Sequence, residues 1–282
     1  MRNGKIGVQM MMLKGTVEEI GVYETMRGIH NLGYRAVEVS QIPMTEENVT
    51  QLKQASEDFN IDIAALSAAV EPMMPGMPGE TLTNDFEKIV QDCQTLGCRY
   101  LRIGMMPLAS METKESVMVF IEKAERFAEQ LAEHGISLYY HTHHIEFQKH
   151  DGEYLLDIIK NNTSKLGFEL DVHWIQRGGA NPVDVIRSYA GRVSLLHLKD
   201  YRIGQLKMPE DMSQFFNAFS NIIEFAEIGE GNLEFPPMIE AGIESGVEYF
   251  FVEQDDTYGR DPFDCLKISA ENLRKLGYSD WF

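Results

Sequence analysis

Five times in this chain a helix-like stretch reaches a glycine and runs straight into a short apolar segment: LGYRAVEV, LGCRYLRI, HGISLYY, KLGFELD and SGVEYFFVE. A glycine just past a helix accepts the left-handed conformation that closes the last turn. The β-branched and aromatic residues that follow fit a pleated, extended backbone. Helix and strand in alternation require a parallel sheet joined by crossover helices. Eight strands are expected: KIGVQM from Lys5, YRAVEV from Tyr34, IDIAAL from Ile61, RYLRIG from Arg99, ISLYYH from Ile136, LGFELD from Leu166, VSLLHL from Val193 and YFFVE from Tyr249. Between them apolar residues recur at helical spacing, most clearly in TVEEIGVYETMRGIHNLG and ESVMVFIEKAERFAEQLAEHG. Eight such units in 282 residues point to an α/β chain folded as one (β/α)8 TIM barrel, a single domain over residues 1–282. An open doubly wound sheet is the competitor. It would carry a glycine fingerprint for phosphate after the first strand, and Gln9-Met10-Met11-Met12 offers none.

The formal charge of −19 bears on partners. Proteins that track a phosphate backbone present a basic face, so nucleic acid is disfavoured, and anionic membrane surfaces with it. No apolar run approaches the roughly 20 residues of a membrane span. The N-terminal apolar stretch is broken by Gln9 and reads as a first strand rather than a signal peptide. Cys93, Cys98 and Cys265 show no CxxC spacing and are expected as buried free thiols, in keeping with a cytoplasmic protein.

Strand periodicity sorts the candidate functional residues. Side chains alternate between faces, so His141 and His143 of SLYYHTHHIEF project together while His144 points away. Glu169 and Asp171 share a face in LGFELD, His197 and Lys199 share one in VSLLHLKD, and Glu253 follows Tyr249 and Phe251 in YFFVE. In a closed parallel barrel the C-terminal strand ends converge on one rim, where enzymes of that architecture hold their chemistry. Each residue alone has a plainer reading. A single strand histidine is commonly a hydrogen-bonded structural residue, a terminal aspartate a cap, and Glu253 in EQDD part of a solvated acidic loop. Imidazoles and carboxylates ending four consecutive strands instead suggest one open metal site.

The ordered set GYRAVEV, YHTHHIEF, ELDVHW, HLKD, GEGNLEF and VEQD resembles the sugar phosphate isomerase/epimerase family with its xylose isomerase-like barrel, from the first strand to the last helix. YHTHHIEF is similar to that family's YHNHDFEF, with Thr142 for the usual Asn and His144 for the usual Asp. The resemblance implies one divalent metal held by His141, Asp171, His197 and Glu253, and a small sugar or polyol derivative as substrate. Mixed nitrogen and oxygen ligation favours Mn²⁺, with Zn²⁺, Co²⁺, Fe²⁺ or Mg²⁺ as alternatives. The implied chemistry is proton abstraction beside a carbonyl through an enediolate, giving an isomerase or epimerase.

His141 departs from the pattern, since many members carry a glutamate at that strand end. Two opposed glutamates exchange protons in those epimerases, and here Glu253 alone remains of the pair. A second acid or base is then expected from His143, Glu146 or Lys199. If a leaving group departs instead, the same intermediate gives a dehydratase or lyase on a keto-sugar or keto-polyol. An apurinic-site nuclease on the same barrel conflicts with the acidic charge, and a sugar-binding barrel without catalysis would need no metal.

Other residues carry narrower expectations. Trp174 is read as an apolar wall for a sugar face, Glu230 between the glycines of IGEGN as a substrate contact, and Glu38 as a support behind the site. Glu146 is read as a hydrogen-bond partner of substrate or a loop salt bridge. Lys199 is read as a group steadying an oxyanion or as the partner of Glu169. The long connection between His197 and Tyr249 is expected as a lid or substrate wall. The chain leaves open a homo-oligomer.

Overall fold

The computed structural model describes residues 4–206, 209, 211–220 and 222–282. Eight parallel strands close a barrel: β1 (Lys5–Gln9), β2 (Ala36–Val39), β3 (Asp62–Ser67), β4 (Tyr100–Ile103), β5 (Ser137–His141), β6 (Gly167–Asp171), β7 (Val193–Leu198) and β8 (Tyr249–Val252). Each pairs with its neighbours in sequence, and β1 closes the ring on β8 through Lys5↔Tyr249 to Val8↔Val252. Seven lie within the expected segments, and β3 runs one residue past its segment, to Ser67. Among the described residues no helix is long and apolar enough to cross a membrane. The three cysteines are free and buried.

Period-two alternation divides the apolar residues into two clusters. Val37, Leu101, Leu138, Phe168, Leu196 and Phe250 point outward into the layer shared with the helices. Ala36, Ala65, Tyr100, Tyr139, Leu195 and Phe251 fill the lumen. Large and small residues are matched there, as a closed barrel of this size requires. A Cβ on Gly167 would lie 2.6 Å from the ring of Tyr139. The phenol hydroxyls find partners toward the N-terminal rim: Tyr139 Oη donates to Ser194 Oγ at 2.8 Å, Tyr100 Oη to Glu248 Oε1 at 2.9 Å and Tyr249 Oη to Asp62 Oδ2 at 2.9 Å.

The recurring glycines serve two purposes. Gly33, Gly97 and Gly246 cap helices in the left-handed conformation with φ of 97°, 63° and 102°, and Gly135 follows the next helix end with φ 74°. Gly167 does not stop a helix. It is the first residue of β6, and its missing side chain clears Tyr139. The long connection after β7 begins with an antiparallel ribbon in which Asp200–Ile203 pairs with Ile223–Ala226, and the helix Phe235–Ser245 then returns to β8.

Candidate metal centre and active site

The strand pattern delivers four ligand-type side chains to the C-terminal rim. His141 and Asp171 are the last residues of β5 and β6, His197 lies in β7 opposite Asp171, and Glu253 follows β8 directly. One potential ligand atom from each falls within 4.8 Å of the others, and all four residues are buried. His141 Nδ1 and Asp171 Oδ2 are buried without a hydrogen-bond partner. Buried polar atoms are normally satisfied, and two imidazoles with two carboxylates form a donor set suited to a divalent cation. The residues fit the ion that the sequence pattern implies.

A second polar layer supports this one from below. His197 Nδ1 faces the ligand set, 2.6 Å from Glu253 Oε2 and 3.8 Å from Asp171 Oδ2. Its Nε2 lies 3.0 Å from Glu38 Oε2 and 3.2 Å from Glu169 Oε1. A carboxylate on the far nitrogen fixes tautomer and ring orientation in metal-binding histidines, so Glu38 stands behind the site as its place in β2 predicts. Glu38, Glu169 and His197 also cluster closely enough to suit an ion. There, however, a guanidinium already supplies the positive charge: Arg102 Nε is 2.6 Å from Glu38 and 3.4 Å from Glu169. Burial opposes ionisation of Glu38, but Arg102 and His197 overcome it and hold the carboxyl at about 2. Burial and the neighbouring Glu38 charge push Glu169 up to about 8.

Lys199 closes the opposite side of the cluster. Its Nζ lies 2.9 Å from Glu253 Oε2, 3.4 Å from Asp171 Oδ2 and 3.1 Å from Asp255 Oδ1. The expected pairing of Lys199 with Glu169 is therefore corrected: Glu169 serves Arg102 and His197 one layer down. Burial disfavours the Lys199 ammonium, but the acids outweigh burial and raise its pKa. Gln9 Nε2 donates to Glu253 Oε1 at 3.1 Å, so both oxygens of this carboxylate are engaged.

These groups floor a cavity of about 930 Å³ whose lining includes Gln9, His141, His143, Trp174, Lys199 and Glu253. Trp174 forms part of its wall, with Lys199 Nζ 5.0 Å from the ring centre. The His143 ring stands 4.6 Å from that of His141, and its Nδ1 has no hydrogen-bond partner. Burial and the Lys199 charge push His143 down to about 3, leaving it neutral near pH 7.

Two expectations change. Glu146 is fully buried and is not among the residues that line the cavity. The short turn Ile145–Phe147 folds it back, so that Oε1 accepts from Tyr140 Oη at 2.8 Å and Oε2 from the His143 backbone N–H at 2.7 Å. It acts on the site by holding His143. Glu230 is exposed, accepts from Asn272 Nδ2 at 3.0 Å, and does not line the cavity. The flexibility around it serves Asp200, whose carboxylate accepts the backbone N–H groups of Tyr201, Gly229, Gly231 and Leu233. A Cβ on Gly231 would lie 2.3 Å from both Asp200 Oδ1 and the Tyr201 carbonyl. Gly231→Ala should therefore cost about 2–3 kcal/mol in a denaturant titration; a loss under half of that would show that the loop shifts freely.

Arg102, Gln9 and Asp255 were not singled out from the sequence. The signals were a charged residue inside the apolar YLRIG and a glutamine interrupting the first strand. Asp255 carried none beyond its acidic neighbours.

A family model described as xylose isomerase-like TIM barrel matches residues 27–276. The inosose dehydratase of Geobacillus thermodenitrificans is 27% identical over 168 residues, which cover 58% of this chain and 55% of that protein, about half its length. A sugar phosphate isomerase/epimerase from Parabacteroides distasonis superposes with a TM-score of 0.75 at 21% identity, over 98% of this chain and 99% of that one. A 3-keto-D-glucoside 4-epimerase from E. coli gives 0.69 at 15% identity, over 96% and 99%. At such low identity the two structural likenesses establish the fold, and the family match extends over most of the sequence. This chain belongs to the xylose isomerase-like TIM barrel family.

Proposed function

We propose that the protein is a divalent-metal-dependent isomerase or epimerase that removes a proton beside the carbonyl of a keto-sugar or keto-polyol. The observation that carries this reading is the convergence of His141, Asp171, His197 and Glu253 within 4.8 Å, with His141 and Glu253 lining the cavity. An ion held by these four would polarise the substrate carbonyl and so acidify the neighbouring carbon. Manganese suits the mixed nitrogen and oxygen donors.

The chain's own residues supply the proton handling. Burial opposes charge on Glu253, yet Lys199 and His197 hold its carboxyl well below the usual range, so it is ionised but a weak base. Proton transfer to it would lean on the acidification of the substrate carbon that a bound ion supplies. Lys199 remains an ammonium and offers a fixed positive charge to oxygen as negative charge develops. His143 enters from the β5 side, neutral, with Nδ1 unpartnered, and is the second proton-transfer group of this reading. Glu146 positions His143 through its backbone N–H. Trp174 walls the cavity beside Lys199.

A second reading, a dehydratase or lyase on the same class of substrate, draws support from His141. It stands where the family resemblance expects the second glutamate of an opposed pair, and the likeness to an inosose dehydratase agrees. One experiment separates the readings. Manganese-loaded protein is incubated in D₂O with a panel of keto-sugars and keto-inositols. Deuterium beside the carbonyl of a saturated product supports the isomerase, and loss of water to an unsaturated product supports the lyase. If metal is bound and neither occurs across the panel, both readings fail.

Metal uptake itself should depend on pH. In the metal-free protein burial disfavours the His197 imidazolium, but Glu169, Glu38 and Glu253 together raise its pKa well above the ordinary value. For His197 to serve as a ligand its imidazolium would have to give up that proton. Manganese affinity should therefore rise as pH rises, by about tenfold per unit for each proton displaced, while His197 remains protonated. Calorimetric titrations in buffers of different ionisation enthalpy count the protons. An affinity flat between pH 6 and 8 would contradict this account.

A further inference from the structure

The cavity is divided between the two halves of the barrel. The ion-binding and proton-transfer groups come from β5 to β8, whereas Met11, Ile42, Met44, Met73 and Met105 line it from the segments following β1, β2, β3 and β4, with Trp174 from the connection after β6. These four methionines are half-buried. Met10 and Met106, beside them in sequence, are fully buried in the core, while Met74 and Met77 are exposed and do not line the cavity. One methionine from each of four successive connections thus turns toward the same space. Methionine makes an adaptable, polarisable surface that packs well against flat rings.

At about 930 Å³ the cavity lies near the top of the roughly 300–1,000 Å³ usual for small-molecule sites. A single hydroxylated ring placed on the ligand set leaves the methionine half unfilled. A phosphate is a poor match for that half, because the Lys and Arg residues lining the cavity are already engaged. Lys88 Nζ lies 2.9 Å from Glu80 and 2.7 Å from Asp92, and it donates to the Met44 carbonyl at 2.8 Å. Arg102 serves Glu38 and Glu169, and Lys199 serves Asp171, Glu253 and Asp255.

We infer that the substrate is a conjugate, a keto-sugar or keto-polyol ring bonded to an aromatic aglycone, with the ring over His141, Glu253 and Lys199 and the aglycone among the methionines. This deepens the proposed function and rests on its placement of the reacting ring. The test compares methyl and phenyl 3-keto-glucosides on the manganese-loaded protein, measuring deuterium uptake or product formation in D₂O and, separately, dissociation constants by calorimetry. The phenyl compound should exceed the methyl compound at least about tenfold in kcat/KM and in affinity, since it buries more apolar surface. Met44→Ala combined with Met105→Ala should bring both ratios below about threefold. Met73→Ala alone should reduce them in the same direction, and serves if the double variant fails to fold. Equal values for the two glucosides in the unsubstituted protein overturn the inference and leave the proposed chemistry intact. If neither is turned over but phenyl binds tenfold more tightly, the chemistry fails and the aromatic site stands. If neither binds, the inference is overturned.

Discussion

Glu253→Gln should lower turnover of a keto-sugar substrate by 100- to 10,000-fold, on the order expected for loss of a positioned general base. The upper end is expected because the same carboxylate is also a candidate metal ligand. It lies 2.6 Å from His197, 2.9 Å from Lys199 and 3.1 Å from Gln9, so the substitution leaves a buried ammonium short of a partner as well. The check is kcat at saturating manganese, with bound metal measured on the same sample. A variant that kept its metal and lost less than tenfold in rate would remove Glu253 from the chemistry.

Arg102→Met should cost about 3–5 kcal/mol of stability, the usual penalty when one partner of a buried ion pair is removed. Arg102 is 5% exposed and lies between Glu38 and Glu169, neither of which has access to solvent. Its loss leaves His197 as the remaining cation within reach of both acids. The loss should also depend on pH. Without the guanidinium the folded-state pKa of Glu38 rises, as that of Glu169 already does. The folded variant then binds more protons than the unfolded chain above the ordinary carboxylate range, so its stability falls as pH rises. Urea titrations at pH 5 and pH 8 should show the larger deficit at pH 8. A deficit below 1 kcal/mol at both would mean that the layer rearranges to readmit water.

The barrel was legible because its signals are local. Each strand announced itself by composition, and alternation along LGFELD, VSLLHLKD and YFFVE correctly sent Asp171, His197, Lys199 and Glu253 to one side. What alternation cannot give is the height of a residue in the lumen relative to other strands, which depends on the stagger of the sheet. Glu169 and Lys199 lie on inward faces, yet Asp171 and Glu253 stand at the height of Lys199 while Glu169 is level with Arg102. Loop geometry was hidden for another reason. The turn at Ile145–Phe147 reverses Glu146 into the core, and the IGEGN glycines answer to Asp200, a residue distant in sequence. Spacing alone carried no trace of either partner.

The charges buried around the candidate metal centre are offset in large part from within the chain. Arg102, Lys199 and His197 each hold two or more of the buried carboxylates, and the aromatic rings packing the lumen lie a layer away from the donors. Folding therefore need not wait for an ion, in contrast to small domains that collapse only around one. A chelator should strip the protein without unfolding it, and reconstitution with different divalent ions then becomes a practical route to ranking them. In a cell, the occupant would follow from the availability of each suitable ion together with its intrinsic affinity for the finished barrel.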